Sequence, residues 1–368
     1  MLSTRGAGRQ TSCPVRAIVS GMTTTDDTVS LSGRRGLLAA VPALLGFHPE
    51  ESMVMICLSG PRRRVGPVIR VDLADHPAAG RASATVGQLQ AHARRHADEV
   101  AVLCFTEQPL PPAELHELIA ALQRSGTAVL DAAVVRSGHA YSVPGPGRDR
   151  PARCTDAVTE VPNGEDPQVT AITAASIMGG RGILANRQAL HASIAGPSGS
   201  EAAKASAAVH AAAAGLYGAV GSVGSVNRLR LRRMADVAVQ RALAQATASG
   251  GVERANSASL VLLLCDAAIR DHLIAEVVDD LESPWLPMLI AVARSVPDDQ
   301  AAEVCAVLAV AAYRRGDGAL AQVAVDRCLA AEPDHRLAHL MLGVMAAGLP
   351  PADLVRLGNQ AISSGTDG

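Results

Sequence analysis

Aromatic residues, lysine and net charge are all scarce in this sequence of 368 residues. Aromatics make up 2 %, and Lys204 is the only lysine among 33 basic residues, whereas alanine occurs 69 times. We interpret this bias as the codon usage of a GC-rich genome and not as arginine-specific chemistry. The formal net charge is −2. The composition therefore excludes a global electrostatic attraction to nucleic acid or to an anionic membrane.

Paired cysteines and long apolar runs are absent as well. The seven cysteines include no CxxC pair, which excludes a zinc ribbon or a thioredoxin-type motif. An odd number of scattered cysteines is typical of a reducing compartment. No stretch of 18 uncharged apolar residues occurs, so we expect no membrane span. These absences predict a cytoplasmic protein.

One segment imitates an export signal. Arg34 and Arg35 precede the apolar residues 36–47, as in a twin-arginine leader. The apolar run leads directly through the loop at His48 into a strand pattern, without a small-residue cleavage site. We therefore predict a helix of the folded domain and no export.

The usual catalytic and metal signatures are missing too. The sequence contains no phosphate loop, nucleophile elbow or HExxH motif. The pairs His92/His96 and His335/His339 have the spacing of metal ligands, but no carboxylate or thiol completes either set. The arginine clusters at 62–64 and 228–233 lack interleaved aromatic side chains. We expect no metal, no cofactor and no nucleic-acid partner.

Hydrophobic periodicity predicts two domains of different class. Strand patterns at 53–58, 67–73, 100–105, 129–136 and 140–143 alternate with helical patterns at 37–45, 85–97 and 112–125. They indicate an α/β domain at 31–145, with a mixed sheet and flanking helices. Residues 1–30 are predicted to be a disordered extension, with Met22 as an alternative start. Residues 146–167 read as a linker, and 168–368 as an all-helical domain.

The last seventy residues show a faint internal period. Ala309 and Gly343 are 34 residues apart, as small residues are in a tetratricopeptide unit. This spacing favours a tetratricopeptide-like helical hairpin at about 300–348, with generic helix packing as the alternative. A helical hairpin is suited to recognising a protein partner in a groove.

The richest group of reactive side chains lies near the first strand. The loop before it holds His48, Glu50, Glu51 and Ser52, and Arg70 and Asp72 alternate on one face of the next strand. Together they could bind a carboxylate or phosphate through Arg70, oriented by Asp72, with His48 titrating near neutral pH. The alternative is a structural turn and a structural ion pair.

Several segments resemble the family called domain of unknown function 4192. They are residues 37–54 (LLAAVPALLGFHPEESMV), 68–73 (VIRVDL), 180–190 (GRGILANRQAL) and 313–320 (YRRGDGAL), followed by Asp326 and Arg327. The resemblance covers roughly residues 30–360 and leaves out the first 28 or so. It implies an actinobacterial cytosolic protein with an α/β part followed by a helical part. It implies no activity and transfers no catalytic residue.

Two classes of function remain open at this point. The first is a non-catalytic protein- or small-ligand-binding module, with a protein partner at the C-terminal helices. The second is an enzyme of unknown reaction that uses the loop from His48 to Glu51 and the strand face of Arg70 and Asp72. A pocket at that face would favour the enzyme.

Overall fold

The chain divides into two compact units, residues 1–186 and 187–368. The structure is a computed structural model that describes residues 16–19, 29–73, 79–109, 112–143, 158–178, 182–220, 228–280 and 284–354. Of the predicted extension 1–30, residues 1–15 and 20–28 lie outside the described residues, whereas 16–19 and 29–30 belong to strands.

The first unit is built on a mixed sheet. Its strands are β1 (Arg16–Val19), β2 (Val29–Ser32), β3 (Ser52–Ser59), β4 (Arg64–Asp72), β5 (Glu99–Phe105), β6 (Ala128–Arg136), β7 (His139–Ser142) and β8 (Val158–Glu160). Six of them follow the order β4-β3-β5-β6-β7-β8, and the β1–β2 hairpin joins the β4 edge. Only β5 and β6 are parallel within the six. The mixed sheet and the five strands that periodicity predicted are confirmed.

Four helices accompany the sheet: α1 (Gly33–Leu45), α2 (Ala79–His96), α3 (Ala113–Arg124) and α4 (Pro167–Met178). On one face, alternate residues of β3 and β5, such as Met55 and Val102, are buried against α2 and α3. Alternation turns Val54 and Leu103, both fully buried, to the opposite face. The first helix lies on that face, because Arg34 donates to Asp131, which follows the same alternation.

Helix α1 is a domain helix, as predicted. Leu37, Leu38 and Val41 are buried on it, and Pro42 is accommodated inside it. Gly46 ends the helix with a left-handed backbone, φ 78°, which a glycine adopts without strain. In the part of the chain that the structure describes, no helix is both long and apolar enough to cross a membrane.

The division between the units differs from the boundary predicted at 146–167. Strand β8 lies within the predicted linker and pairs with β7. Helix α4, assigned to the helical domain from its sequence, packs against α1 in the first unit. Local sequence indicates helical structure from residue 168 onward but not which unit buries each helix, and this explains the difference.

The second unit is helical throughout its described residues. It contains α5 (Arg187–Ser193), α6 (Gly199–Val220), α7 (Arg228–Ser249), α8 (Arg254–Leu264), α9 (Ala267–Asp279), α10 (Trp285–Ser295), α11 (Ala302–Arg314), α12 (Gly318–Ala331) and α13 (Arg336–Ala347), with a 3-10 turn at Asp298–Gln300. Helices α11 and α12 are connected by residues 315–317 and pack closely. The tetratricopeptide interpretation of this region stays a prediction.

Candidate functional site

The loop between α1 and β3 is held in place by a distant segment of the first unit. Phe47 is buried and forms a parallel bridge with Leu184. The amide of His48 donates to the Leu184 carbonyl at 3.1 Å, and the Leu184 amide donates to the Gly46 carbonyl at 2.8 Å. Two of the segments that carry the family resemblance therefore meet in space at this loop.

Arg70 is the centre of the polar group on the β4 side of this loop. Its Nη2 donates to Asp72 at 2.5 Å and lies 3.5 Å from the backbone oxygen of Glu50. Its guanidinium lies over the Phe47 ring, 5.5 Å from the centroid. The Arg70 side chain is 13 % exposed and that of Asp72 is 55 % exposed. The register places Arg70 and Asp72 opposite the beginning of β3, because Ser52 pairs with Asp72 and Val54 with Arg70.

The Glu51 carboxylate contacts the residues that follow β5 and not Arg70. Its carboxylate accepts from the Thr106 hydroxyl at 2.8 Å and from the Glu107 amide at 2.9 Å, both just after β5. Its carbonyl accepts from the Leu73 amide at 2.9 Å. The residue has a left-handed backbone, φ 35°, which is uncommon outside glycine. Glu51 therefore ties the beginning of β3 to the ends of β4 and β5.

The same row of contacts continues to β6. The Glu107 carboxylate accepts from the Ser137 amide at 3.0 Å and from its hydroxyl at 2.8 Å, and these bonds lower the pKa of Glu107. Arg136 donates to the Pro109 carbonyl at 2.8 Å and lies over the Tyr141 ring. We call the polar residues at the carboxyl ends of β4, β5 and β6, together with those of the loop before β3, the polar edge. Its members are Glu50, Glu51, Arg70, Asp72, Thr106, Glu107, Arg136 and Ser137.

Half of the polar edge was not among the candidates taken from the sequence. Thr106, Glu107, Arg136 and Ser137 follow or end predicted strands, but their shared location depends on strand order. Carboxyl ends of strands that run in one direction meet at one edge of a sheet, where α/β proteins commonly bind ligands. The sequence predicts the pairing of β3 with β4, but the placing of β5 and β6 beside them depends on strand order.

The six predicted site residues are not brought together as one reactive set. Ser52 is fully buried, and its hydroxyl meets no partner among the described residues. The His48 side chain is exposed, and the Glu51 carboxylate faces β5. Glu50 contributes its backbone oxygen to Arg70. A nucleophile needs a base within hydrogen-bond reach, and these contacts do not pair one with the other.

The two histidine pairs have structural surroundings. His92 and His96 lie with ring centroids 6.1 Å apart on α2. His335 caps α13 by accepting from the Ala338 amide at 3.3 Å, and His339 donates to the Pro333 carbonyl at 2.8 Å. Within the described residues, no group of three or more metal-ligating side chains is assembled.

The fold and the polar edge define a class of protein: a mixed α/β unit with a polar strand edge, followed by a helical unit. Residues 35–352 match the family model described as a domain of unknown function (DUF4192). The chain belongs to this family. Comparisons with curated proteins and with solved structures give no match.

Proposed function

We propose that this protein is a non-catalytic binding module whose polar edge holds a small anionic ligand through Arg70. A guanidinium offers five N–H donors and binds a carboxylate or phosphate through two of them. The proposal gives Arg70 the role of the ligand contact and Asp72 that of orienting it. His48, the first polar residue of the neighbouring loop, has an exposed side chain.

The observation that carries this proposal is that Arg70 has N–H donors without an acceptor. Only Nη2 is engaged by Asp72 and Glu50, and Nε is buried without an acceptor among the described residues. A buried donor without a partner is costly, because it has lost its hydrogen bond to water. An anion that takes the remaining donors removes this cost.

The rest of the polar edge supports binding by being rigid. The carboxylates of Glu51 and Glu107 are both satisfied by neighbouring strand ends, and the loop at His48 is fixed to Leu184. A guanidinium mounted on such a framework loses little entropy when a ligand binds. The same occupancy argues against general acid–base work by these carboxylates.

The test combines ligand binding with stability. We would titrate the full chain with inorganic phosphate and with acetate by calorimetry, and compare Arg70→Gln with Arg62→Gln, an exposed arginine in the turn before β4. Binding lost only in Arg70→Gln supports the proposal. If Arg70→Ala, Asp72→Ala and His48→Ala each lower the thermal midpoint by more than ~5 °C, the group holds the fold and the assignment is wrong.

We further propose that the C-terminal helices contact a protein partner. In support, α11 and α12 form a hairpin with a short connection, and Leu340 on α13 is exposed. A large apolar side chain in water favours an interface when neighbours form a groove. Affinity capture with wild-type protein and with Leu340→Asp tests this, and a partner retained equally by both contradicts it.

We also propose a cytoplasmic location. The described cysteines are all free thiols, and burial raises the pKa of Cys57, Cys104 and Cys328 to about 12. Such thiols behave as small apolar side chains and require no oxidising environment. Cell fractionation that found the protein outside the cytoplasm, cut near residue 48, would contradict this proposal.

A further inference from the structure

The second unit contains a cleft along α7, α9 and the beginning of α10. Two adjoining cavities of about 180 and 550 Å³ form it, and they share Gln240, His272 and Glu276. We call it the α7–α9 cleft. It belongs to the second unit, and Arg232, from the arginine cluster at 228–233, is the residue of its lining that the sequence analysis had considered.

The wider cavity is acidic. Glu276, Asp279 and Asp280 line it, and its described lining includes neither arginine nor lysine. Carboxylates along one wall of a cleft concentrate cations there, because a cleft focuses the field of its lining charges. The charge therefore favours a cationic ligand.

Trp285 adds a second and independent feature. It lines the same cavity, is only 7 % exposed, and its indole N–H is buried without an acceptor among the described residues. Buried N–H groups are nearly always hydrogen-bonded, so this one indicates a missing acceptor. Indole is also the best aromatic partner of a cation. A ligand suited to this place carries both a cation and an oxygen.

The narrower cavity contains a cationic side chain together with two carboxylates, those of Asp236 and Glu276. Arg232 lines it, with Nη2 3.0 and 3.1 Å from the two ring nitrogens of His272. His272 lies 3.2 Å from Glu276 through Nε2. Arg232 meets no carboxylate among the described residues. A guanidinium in this state is available to a ligand carboxylate.

We infer that the α7–α9 cleft binds a basic amino acid, either free or as a residue within a peptide. The cationic side chain lies among the carboxylates of the wider cavity, and a carbonyl or carboxylate oxygen accepts from the Trp285 indole. In a free amino acid the carboxylate is also within the influence of Arg232. This inference does not depend on the proposed function, which concerns the first unit.

The protein supplies its own probe, because Trp285 is the only tryptophan in the chain. Tryptophan fluorescence of the full chain would be titrated with L-arginine, with Nα-acetyl-arginine amide and with agmatine, which has the cation but no carbonyl oxygen. We expect saturable changes with arginine and roughly tenfold weaker binding of agmatine, the effect of one lost hydrogen bond. No response to either arginine compound, or agmatine binding as tightly as both, would overturn the inference.

The two sources of the ligand are separated by the same titrations. If arginine binds more tightly than the capped compound, and Arg232→Gln removes this difference, the ligand is a free amino acid. Equal binding of both, unaffected by Arg232→Gln, supports a residue within a peptide. Equal binding of L-glutamate would contradict both, since it has the oxygens but not the cationic side chain.

Variants test the cleft by calorimetry, which needs no tryptophan. The double change Glu276→Gln and Asp279→Asn should weaken arginine binding about fivefold or more, as the loss of two exposed ion pairs would. Asp299→Asn is the control, since this exposed carboxylate of the same unit lies outside both cavities. Trp285→Phe should reduce arginine binding to the level of agmatine. If Asp299→Asn weakens binding as much as the double change, net charge and not the cleft binds the ligand.

Should Trp285→Phe fail to fold, the exposed carboxylates still decide the question. Glu276 and Asp279 are exposed on α9, so their amide variants are expected to keep the fold, which circular dichroism would verify. Unchanged arginine binding in the folded double variant would overturn the inference.

Discussion

Each unit contains one arginine that is nearly buried and paired with an exposed aspartate, and the two arginines differ in what else they bind. Arg70 is 13 % exposed and Arg327 is 11 % exposed. In the second unit Arg327 donates to Asp298 and to the carbonyls of Ala293 and Val296, at 2.9, 2.8 and 3.1 Å, and also to the Ile194 carbonyl. Every nitrogen of Arg327 is used, whereas Arg70 retains free donors.

This difference indicates which arginine belongs to the fold and which is available for binding. A guanidinium that binds three backbone carbonyls from two separate segments joins those segments, and its loss leaves all three carbonyls unsatisfied. A guanidinium with N–H donors that no protein group accepts contributes less to folding and is available to bind a ligand. The four predictions below test this contrast, beginning with the largest expected effect.

Arg327→Ala should destabilise the second unit most. It leaves the carbonyls of Ile194, Ala293 and Val296 without their donor. Since each unsatisfied buried acceptor costs about 1–3 kcal/mol, a loss of about 3–5 kcal/mol is expected in total. Urea unfolding of the full chain would measure it. Arg327→Lys keeps the charge but has fewer N–H donors. Its free energy of unfolding should lie between those of the wild type and Arg327→Ala. A loss below that of Arg70→Gln would reverse the comparison.

Gly196→Ala should have the next largest effect. A Cβ at this position would lie 2.6 Å from Arg327 Nη2 and from the Val296 carbonyl oxygen, both part of the same network. We expect a loss of about 1–3 kcal/mol from this overpacking. The matched control is Gly215→Ala in α6, where a Cβ meets nothing within 4 Å.

The control has an expectation of its own. Alanine in the interior of α6 should stabilise the protein by about 0.5–1 kcal/mol, because glycine has the lower helix propensity. Opposite signs for the two changes would support the close approach at Gly196, and equal effects would not.

Glu303→Gln should lower the free energy of unfolding by about 1 kcal/mol, and this loss should depend on pH. It is smaller than the contribution of a fully buried charged hydrogen bond, because Glu303 is partly exposed. Burial raises the pKa of Glu303, but His335 and Arg270 lower it more, so the pKa lies below its usual value. Arg270 is 3.3 Å away and His335 3.4 Å. A lowered carboxyl pKa stabilises the fold above the unfolded value of about 4.3, and this contribution is lost as pH falls through the folded pKa.

Unfolding free energies from pH 7 downward would test this prediction. The difference between wild type and Glu303→Gln should be full at neutral pH and should vanish in acid. A difference that was still full in strong acid, where the carboxyl is protonated, would contradict the prediction.

Arg70→Gln should lower the free energy of unfolding least, by about 1 kcal/mol or less. The variant loses one ion pair with an exposed aspartate, but it also removes a buried Nε that has no acceptor. Thermal unfolding of this variant beside Arg327→Ala would measure the contrast. Equal shifts would remove the basis for assigning Arg70 to binding.

Local patterns explain why so much of the first unit was predictable. The apolar runs that became β3 and β5 are buried on both faces, and such runs have strand length and few polar interruptions. Helix α3 has a proline before it and a regular apolar stripe. These patterns depend on residues close together in the sequence, so they predict strands and helices without knowledge of the fold.

The candidate site was predicted only where its residues are close in sequence or in strand register. Arg70 and Asp72 share a strand face, and the loop from His48 to Ser52 precedes the partner strand. Thr106, Glu107 and Ser137 join through strand order, which no short pattern contains. The attachment of α4 to the first unit was missed for the same reason.

The sequence by itself determined the resemblance to the family, the strands β3 to β7 and helices α1 to α3 of the first unit, and the placing of Arg70 and Asp72 on one strand face. The resemblance rests on several matching segments, and the other predictions rest on spacings of a few residues. Only the tertiary structure decided that Glu51 faces β5, that Arg327 joins three carbonyls, and that acids and Trp285 share a cleft. Contacts between distant segments depend on how elements pack, and many packings are compatible with the same local periodicity.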